Sequence, residues 1–407
     1  MPQTPPTPQP HRPAFDSLLM INQVVGPLAR ELMEHLSACG IRCRALTGWV
    51  DARERADLPF EVLKAKPLVK RPAWKRLWSW GLFTAQAKLA AIRLRRTPML
   101  VTTNPPWPML AMPMLKRLTG LRYVLLVYDI YPDVMEQMGL CRHDSLLARL
   151  WRRWSRKAML KAEGVITLGP HMAATLRRHL REGEDVAIET IPNWADTDFI
   201  RPLDKADNPF AREHGLTDKF VVAYSGALGA THDIDSIIAA AEMLNDLPDV
   251  QFLIIGEGTR RAEIEALVAK RNLPNLKLLP FQPLERVPYS LAAADCLIVC
   301  LGEGYEGLSV PSKTYYALAA GAAVLAISPK DTELTDLVEQ FACGLHVPPR
   351  SGPALAEAIR RLRSDGQLLA NFKAASRKAA EEHFSRKIVT ERYRRYLAEC
   401  FAPPADR

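Results

Sequence analysis

Between Glu61 and Asp129 the chain has no acidic residue, although thirteen lysines and arginines fall in that stretch. It also lacks any apolar run near the ~18 residues that mark a membrane-spanning helix, so no such span is expected. The seven cysteines form no CxxC pair. That speaks against a zinc ribbon or a dithiol redox centre and suits a reducing compartment. Cys39/Cys43 and Cys296/Cys300 have the spacing of apolar packing positions. The N-terminus, MPQTPPTPQPHRP, has no apolar core and reads as a disordered tail, not a signal peptide.

What is present is a soluble composition, 48% apolar and 24% charged over 407 residues, enough for two domains. The net charge of +9 is uneven: residues 1–200 carry +11 and the remainder −2. Within the acid-free stretch, residues 69–96 read VKRPAWKRLWSWGLFTAQAKLAAIRLRR. Helical spacing puts Trp74 and Trp78 on one face. Trp74, Lys75, Arg76, Trp78 and Trp80 make this a candidate contact with an anionic membrane surface. The plainer alternative is a solvated basic helix. Nucleic acid is not expected, because no nucleic-acid motif accompanies the charge.

Apolar strand-like runs alternate with helical patterns through most of the chain, predicting α/β architecture with doubly wound parallel sheets. Strands are expected at 17–25, 42–47, 99–103, 123–128, 164–168 and 187–191. Regularity lapses near 191–209, where Pro, Asn and Asp dominate. A second series follows, with strands at 220–225, 251–255, 276–279, 296–301 and 323–327. The expected organisation is a tail (1–14), an N-terminal domain (15–198), a C-terminal domain (199–383) and a terminal helix (384–407) that crosses back.

The most informative segment is EGLSVPSKTYYALAAG, 306–321. It lies between two strand-like runs, so its loop falls at the carboxyl end of the first, where open α/β sheets bind ligands. Pro311 and Ser312 open a helix, Lys313 adds a charge, and free backbone N–H groups at a helix start attract phosphate. The local reading is a diphosphate cradle; an ordinary capped helix fits as well.

Seven motifs occur in order: LVYDIYPD (126–133), IPNWADTDF (191–199), VVAYSGALG (221–229), FLIIGEGTRRAEIEAL (252–267), LPFQP (279–283), LAAADCLIV (291–299) and VPSKTYYALAAG (310–321). Together they resemble the retaining GT-B glycosyltransferases of family 4 that build capsule, O-antigen and exopolysaccharide. The resemblance implies two facing domains, a nucleotide-sugar donor (UDP favoured) bound by the C-terminal domain and a polyprenyl-diphosphate-linked acceptor bound by the N-terminal one. It implies a cytoplasmic enzyme peripheral to the membrane, needing no cofactor and no metal. Donor contacts are expected at Gly226, Gly229, His232, Gly256, Gly258, Arg261, Phe281 and Gln282. The resemblance also carries Glu306, Gly307, Leu308, Ser309, Val310, Pro311, Ser312, Lys313 and Tyr316 to the donor diphosphate and sugar. Asp129, Glu306 and Lys313 are the catalytic candidates.

The chain departs from the family in four places. Leu308 and Tyr316 stand where its paired glutamates are found. Ala227 and Ala230 stand where a phosphate-binding arginine is common, leaving His232. Tyr128 replaces a frequent histidine, and the first glycine-rich loop shrinks to Val25–Gly26–Pro27. Two other readings fit the same fold: a UDP-sugar epimerase, and a non-catalytic subunit of a polysaccharide assembly complex.

Overall fold

The computed structural model describes residues 15–51, 58–69, 72–229 and 232–402. Ala230 and the proposed tail lie outside the described residues. Two all-parallel sheets dominate. The first runs, edge to edge, Glu61–Lys64, Arg42–Thr47, Ser17–Ile21, Met99–Thr102, Tyr123–Val127, Gly164–Thr167 and Ile188–Thr190. The second runs Leu276–Leu279, Val250–Ile255, Phe220–Ser225, Cys296–Cys300, Ala323–Ile327 and Gly344–Val347. Central strands such as YVLLV and CLIVC are buried at every position. Parallel strands covered by helices on both faces need such unbroken apolar runs.

Differences from the expected elements are local. The first strand ends at Ile21, and Val24–Val25 pairs separately with Trp49–Val50. The edge strands Glu61–Lys64 and Gly344–Val347 escape the pattern because an edge is half-buried and mixed in polarity. Cys43, Cys296 and Cys300 are buried, as packing positions require, whereas Cys39 is only half-buried.

The last helix, Arg386–Phe401, returns to the first sheet. Val389, Tyr393, Leu397 and Phe401 pack in the same core as Leu18, Met20 and Val124. Arg122 reaches from the sheet to the helix end and donates to the carbonyls of Cys400 and Phe401 at 2.7 and 3.1 Å. Carbonyls at a helix terminus lack intrahelical donors, so a cation there is favourable.

Three helices lie side by side on one face of the first sheet: Ala73–Arg93, Trp107–Thr119 and Leu146–Lys161. The carboxyl ends of the two sheets face each other. There the 302–310 loop of the second sheet meets the first: Asp129 and Ser309 form an isolated antiparallel bridge, and Ile130 N–H donates to the Leu308 carbonyl at 3.1 Å.

Candidate active site

The cleft side of the second sheet is organised around Lys313. Its Nζ donates to the Tyr224 hydroxyl at 2.7 Å and lies 4.4 Å from the centre of that ring. Gly226 makes this possible: a Cβ there would stand 2.1 Å from Lys313 Cε. Tyr224 in turn donates to the Ala227 carbonyl at 2.7 Å. Among the described residues no carboxylate pairs with Lys313. Burial lowers its pKa to about 8, because an ammonium removed from water loses hydration. His232 is lowered to about 4, first by burial and then by Lys313, so it is a neutral imidazole at pH 7.

The other donor-side candidates divide. Arg261 is spent on structure: its guanidinium donates to the carbonyls of Gly256 (2.6 Å) and Leu279 (3.1 Å) and to Glu265 (2.8 Å). Arg260, its neighbour, instead lines a cavity of about 460 Å³ with His232, Asp233, Glu303 and Arg350. Gly256 and Gly258 serve the fold, since a Cβ on either would strike the backbone of Gly226 or Leu228. Gly229 ends that loop with space beside His232, 3.6 Å from a notional Cβ. Phe281 is 52% exposed at the rim, and Gln282 donates to the Pro280 carbonyl at 3.0 Å. Tyr316 packs partly into the core of its own domain. Asp233 caps the helix Ile234–Met243 and Asp235 holds Arg260 at 2.9 Å; Asp196 accepts from the amides of Asp198 and Phe199. The acidic pairs Asp196/Asp198 and Asp233/Asp235 therefore include structural caps and an ion pair.

The 302–310 loop, which leads into the expected diphosphate cradle, is also held by the first domain. Leu308 is buried in the core of the first domain with Ile130, Leu168, Met172 and Leu176, and Val310 packs at its edge. An apolar side chain at this point finds the uncovered end of the opposite domain, and burying it there stabilises the junction. Gly307 adopts φ +61°, and a Cβ there would stand 2.8 Å from Thr175 Oγ1 and 2.9 Å from the His171 carbonyl oxygen, a conformation and a closeness that disfavour a side chain. Gln137 Nε2 donates to the Glu303 carbonyl at 2.9 Å. Ser309 is bridged to Asp129, and Pro311 accepts from Thr314 Oγ1 at 2.8 Å. Ser312 is the N-cap of Lys313–Ala319 without a side-chain capping bond.

Glu306 is half-buried and lines a second cavity, of about 640 Å³, with Asp133, Glu136, Thr175, Arg178 and His179. Arg152 bridges Asp133 (3.4 Å) and Glu136 (2.5 Å), and His179 reaches Asp133 at 3.3 Å. Asp133 Oδ2 and Glu136 Oε1 are buried without hydrogen-bond partners, so acceptor capacity beside this cavity is unused. Asp129 is bridged to Ser309 in the same loop as Glu306, and burial raises its carboxyl to about 6. Sequence reasoning missed Glu136, Arg178 and His179. The one available signal was Asp133 at the end of the DIYPD string, with Glu136 three residues beyond it.

The five membrane candidates separate as well. Trp74 and Trp78 are 65% and 64% exposed, and Lys75 is exposed beside Trp74. Trp80 is buried at 8%, edge-on to Trp107 and Tyr131. Arg76 is half-buried over the Trp80 ring. Two residues along a helix is a rotation of ~200°, so Trp80 faces inward where Trp78 faces out. Among the described residues no helix is long and apolar enough to cross a membrane. One trio of possible metal-ligating side chains, His35, Cys39 and Glu391, lies under the last helix among the described residues, but Arg394 and Arg395 already hold Glu391.

Two family models cover the chain. Residues 25–194 match the glycosyl transferase 4-like domain and 207–379 match glycosyl transferases group 1. The chain is a GT-B glycosyltransferase. The enzyme is 27% identical over 334 residues to WbjE of Pseudomonas aeruginosa, a candidate glycosyltransferase, covering 81% of each chain. It is 29% identical over 290 residues to WcaI of Escherichia coli K12, a candidate colanic acid biosynthesis glycosyl transferase, covering 69% of each. Among solved structures, Anabaena HepE in complex with UDP-glucose shares its fold at a TM-score of 0.73 and 16% identity, over 94% of this chain and 99% of that one.

Proposed function

We propose that this glycosyltransferase moves a sugar, with retention of configuration, from a UDP-sugar to a polyprenyl-diphosphate-linked acceptor in surface polysaccharide synthesis. The observation that carries the reading is Lys313: a half-buried ammonium with no carboxylate partner among the described residues, held over Gly226 at the cleft. Breaking a glycosidic bond to a diphosphate delivers negative charge to the leaving group. A prearranged cation in a water-poor site stabilises that charge. The protein supplies it directly, so the reading includes no metal and no cofactor.

Glu306 and the unpartnered oxygens of Asp133 and Glu136 suit sugar hydroxyls on the acceptor side of the cleft. Asp129, bridged to Ser309 of Glu306's loop, orients the acceptor or the loop. The names of WcaI and of the HepE complex support polysaccharide chemistry and a UDP donor respectively. Trp74, Lys75 and Trp78 hold the enzyme at an anionic membrane face on the cytoplasmic side, where a lipid-linked acceptor presents its diphosphate.

The test is thermal shift with UDP, GDP and a panel of their sugars. Ligand that binds the folded state raises its melting temperature. UDP is expected to raise it for the native chain and not for Lys313→Ala. No shift with any nucleotide sinks the catalytic reading and favours a non-catalytic subunit. Epimerised UDP-sugar formed without lipid favours an epimerase instead.

A further inference from the structure

We infer that the groove between helices Trp107–Thr119 and Leu146–Lys161 is a headgroup site for an anionic phospholipid, and that three helices, not one, form the docking face. This rests on the peripheral-membrane part of the proposed function and specifies it.

The first observation is charge. Helices Ala73–Arg93, Trp107–Thr119 and Leu146–Lys161 contain 12 lysines and arginines and no aspartate or glutamate. Arg152, Arg156 and Lys116 find carboxylates in neighbouring elements. Among the described residues, Arg117, Arg153, Lys157 and Lys161 pair with none. The second observation is apolar exposure on the same layer. Leu118 and Leu146 are each 71% exposed, and Met114, Leu147, Leu150 and Trp154 are exposed beside them. Leu146, Leu150, Trp154, Lys157 and Lys161 follow helical spacing, so one stripe is apolar at its start and cationic at its end.

The third observation is shape. Pro113, Met114 and Arg117 on one helix and Trp154, Lys157 and Lys161 on the other enclose a groove of about 710 Å³. Lys157 Nζ lies 4.7 Å from the Trp154 ring centre. The lining has cations for a phosphodiester, an indole for the headgroup level and an apolar floor for the start of an acyl chain. Trp at the interface and Lys/Arg at the headgroups is the pattern of interfacial binding. Nucleic acid would use the cations but gives Leu118, Leu146 and Leu150 no role. A purely apolar partner leaves the cations unpaired.

The face also adjoins the cleft. Met138 and Leu140 are exposed, and Cys141–Asp144, which line the cavity containing Glu306, lead directly into helix Leu146–Lys161. Docking there sets the acceptor cavity beside the lipid surface.

The experiment is co-sedimentation of the full chain with phosphatidylcholine vesicles, with and without phosphatidylglycerol. Three proteins are compared with the native one: Arg117→Gln/Lys157→Gln/Lys161→Gln in the groove, Trp74→Ser/Trp78→Ser on the first helix, and a charge-matched control, Arg361→Gln/Lys378→Gln/Lys387→Gln, elsewhere. Unchanged melting temperature and UDP response establish that each variant folds. The native chain is expected to bind only the phosphatidylglycerol vesicles. The groove variant should bind them about a hundredfold more weakly, on roughly a kilocalorie per near-surface cation, while the control stays near native. Native-like binding by the groove variant, with loss in the Trp variant, overturns the groove and leaves the single-helix reading standing. An equal loss in the control overturns it as a net-charge effect. Displacement from vesicles by duplex DNA at physiological salt overturns it in favour of nucleic acid. Absence of native binding to either vesicle overturns both readings.

Discussion

The two domains settle their charges differently. In the second, cations and anions are matched at short range: Arg260 with Asp235 and Glu263, Arg363 with Asp249, Arg377 with Glu381. Lys313 has no carboxylate partner among the described residues and, unlike the exposed lysines of that domain, sits in the cleft. In the first domain a whole three-helix layer carries cations without acids. An unmatched, half-buried cation in a cleft suits a small anionic ligand, whereas a layer of exposed cations mixed with Trp and Leu suits an extended anionic surface. Placement, not total charge, separates the two proposed roles.

Trp78 and Trp80 give the sharpest contrast within that layer. Trp80→Ala removes a ring packed on Trp107 and Tyr131 and should cost about 3–5 kcal/mol of stability. Trp78→Ala, at an exposed site, should change stability by less than about 0.5 kcal/mol. Thermal unfolding of both variants checks this, and equal losses would erase the distinction between inner and outer faces of the helix.

The next effect is catalytic. Lys313→Ala should lower turnover by about 10²–10³, the magnitude of losing one prearranged charge-stabilising group. The protein should not lose stability with it, because a desolvated ammonium is being removed. Steady-state kinetics with a lipid-linked acceptor measures the first and thermal unfolding the second. A variant that loses its fold along with its activity would return Lys313 to a structural role.

Both sheets were legible in the sequence because buried parallel strands need unbroken apolar runs, and FVVAYS and AVLAI appear in the structure with the expected limits. Of the four edge strands, Leu276–Leu279 and Ile188–Thr190 were expected, whereas EVLK and GLHV were not, since their half-buried, mixed-polarity runs lose the pattern. Lys313 and Gly226 were legible as a loop-and-helix start, and their closeness follows from adjacent strands Phe220–Ser225 and Cys296–Cys300. Leu308 was not. Its burial in the opposite domain depends on how two sheets face each other, which no local pattern encodes. Arg260 and Arg261 differ only by the ~100° between successive helix positions, and sequence alone had no means of choosing the one that lines the cavity.

A smaller effect tests the unmatched-cation argument without mutation. Lys313 has its pKa lowered to about 8 by burial, and a bound diphosphate would raise it. UDP affinity is therefore constant below about pH 8 and weakens above it, by up to tenfold per pH unit until the pKa of the complex is reached. Stability without nucleotide moves the other way. The unfolded lysine keeps its proton to about pH 10.4, so between that value and 8 the unfolded state holds more protons and Lys313 contributes rising stability with pH. Isothermal titration of UDP and melting of the free protein across this window should show opposite slopes, both absent in Lys313→Ala. Parallel slopes would mean that another group titrates and that the cation over Gly226 is not the one the diphosphate meets.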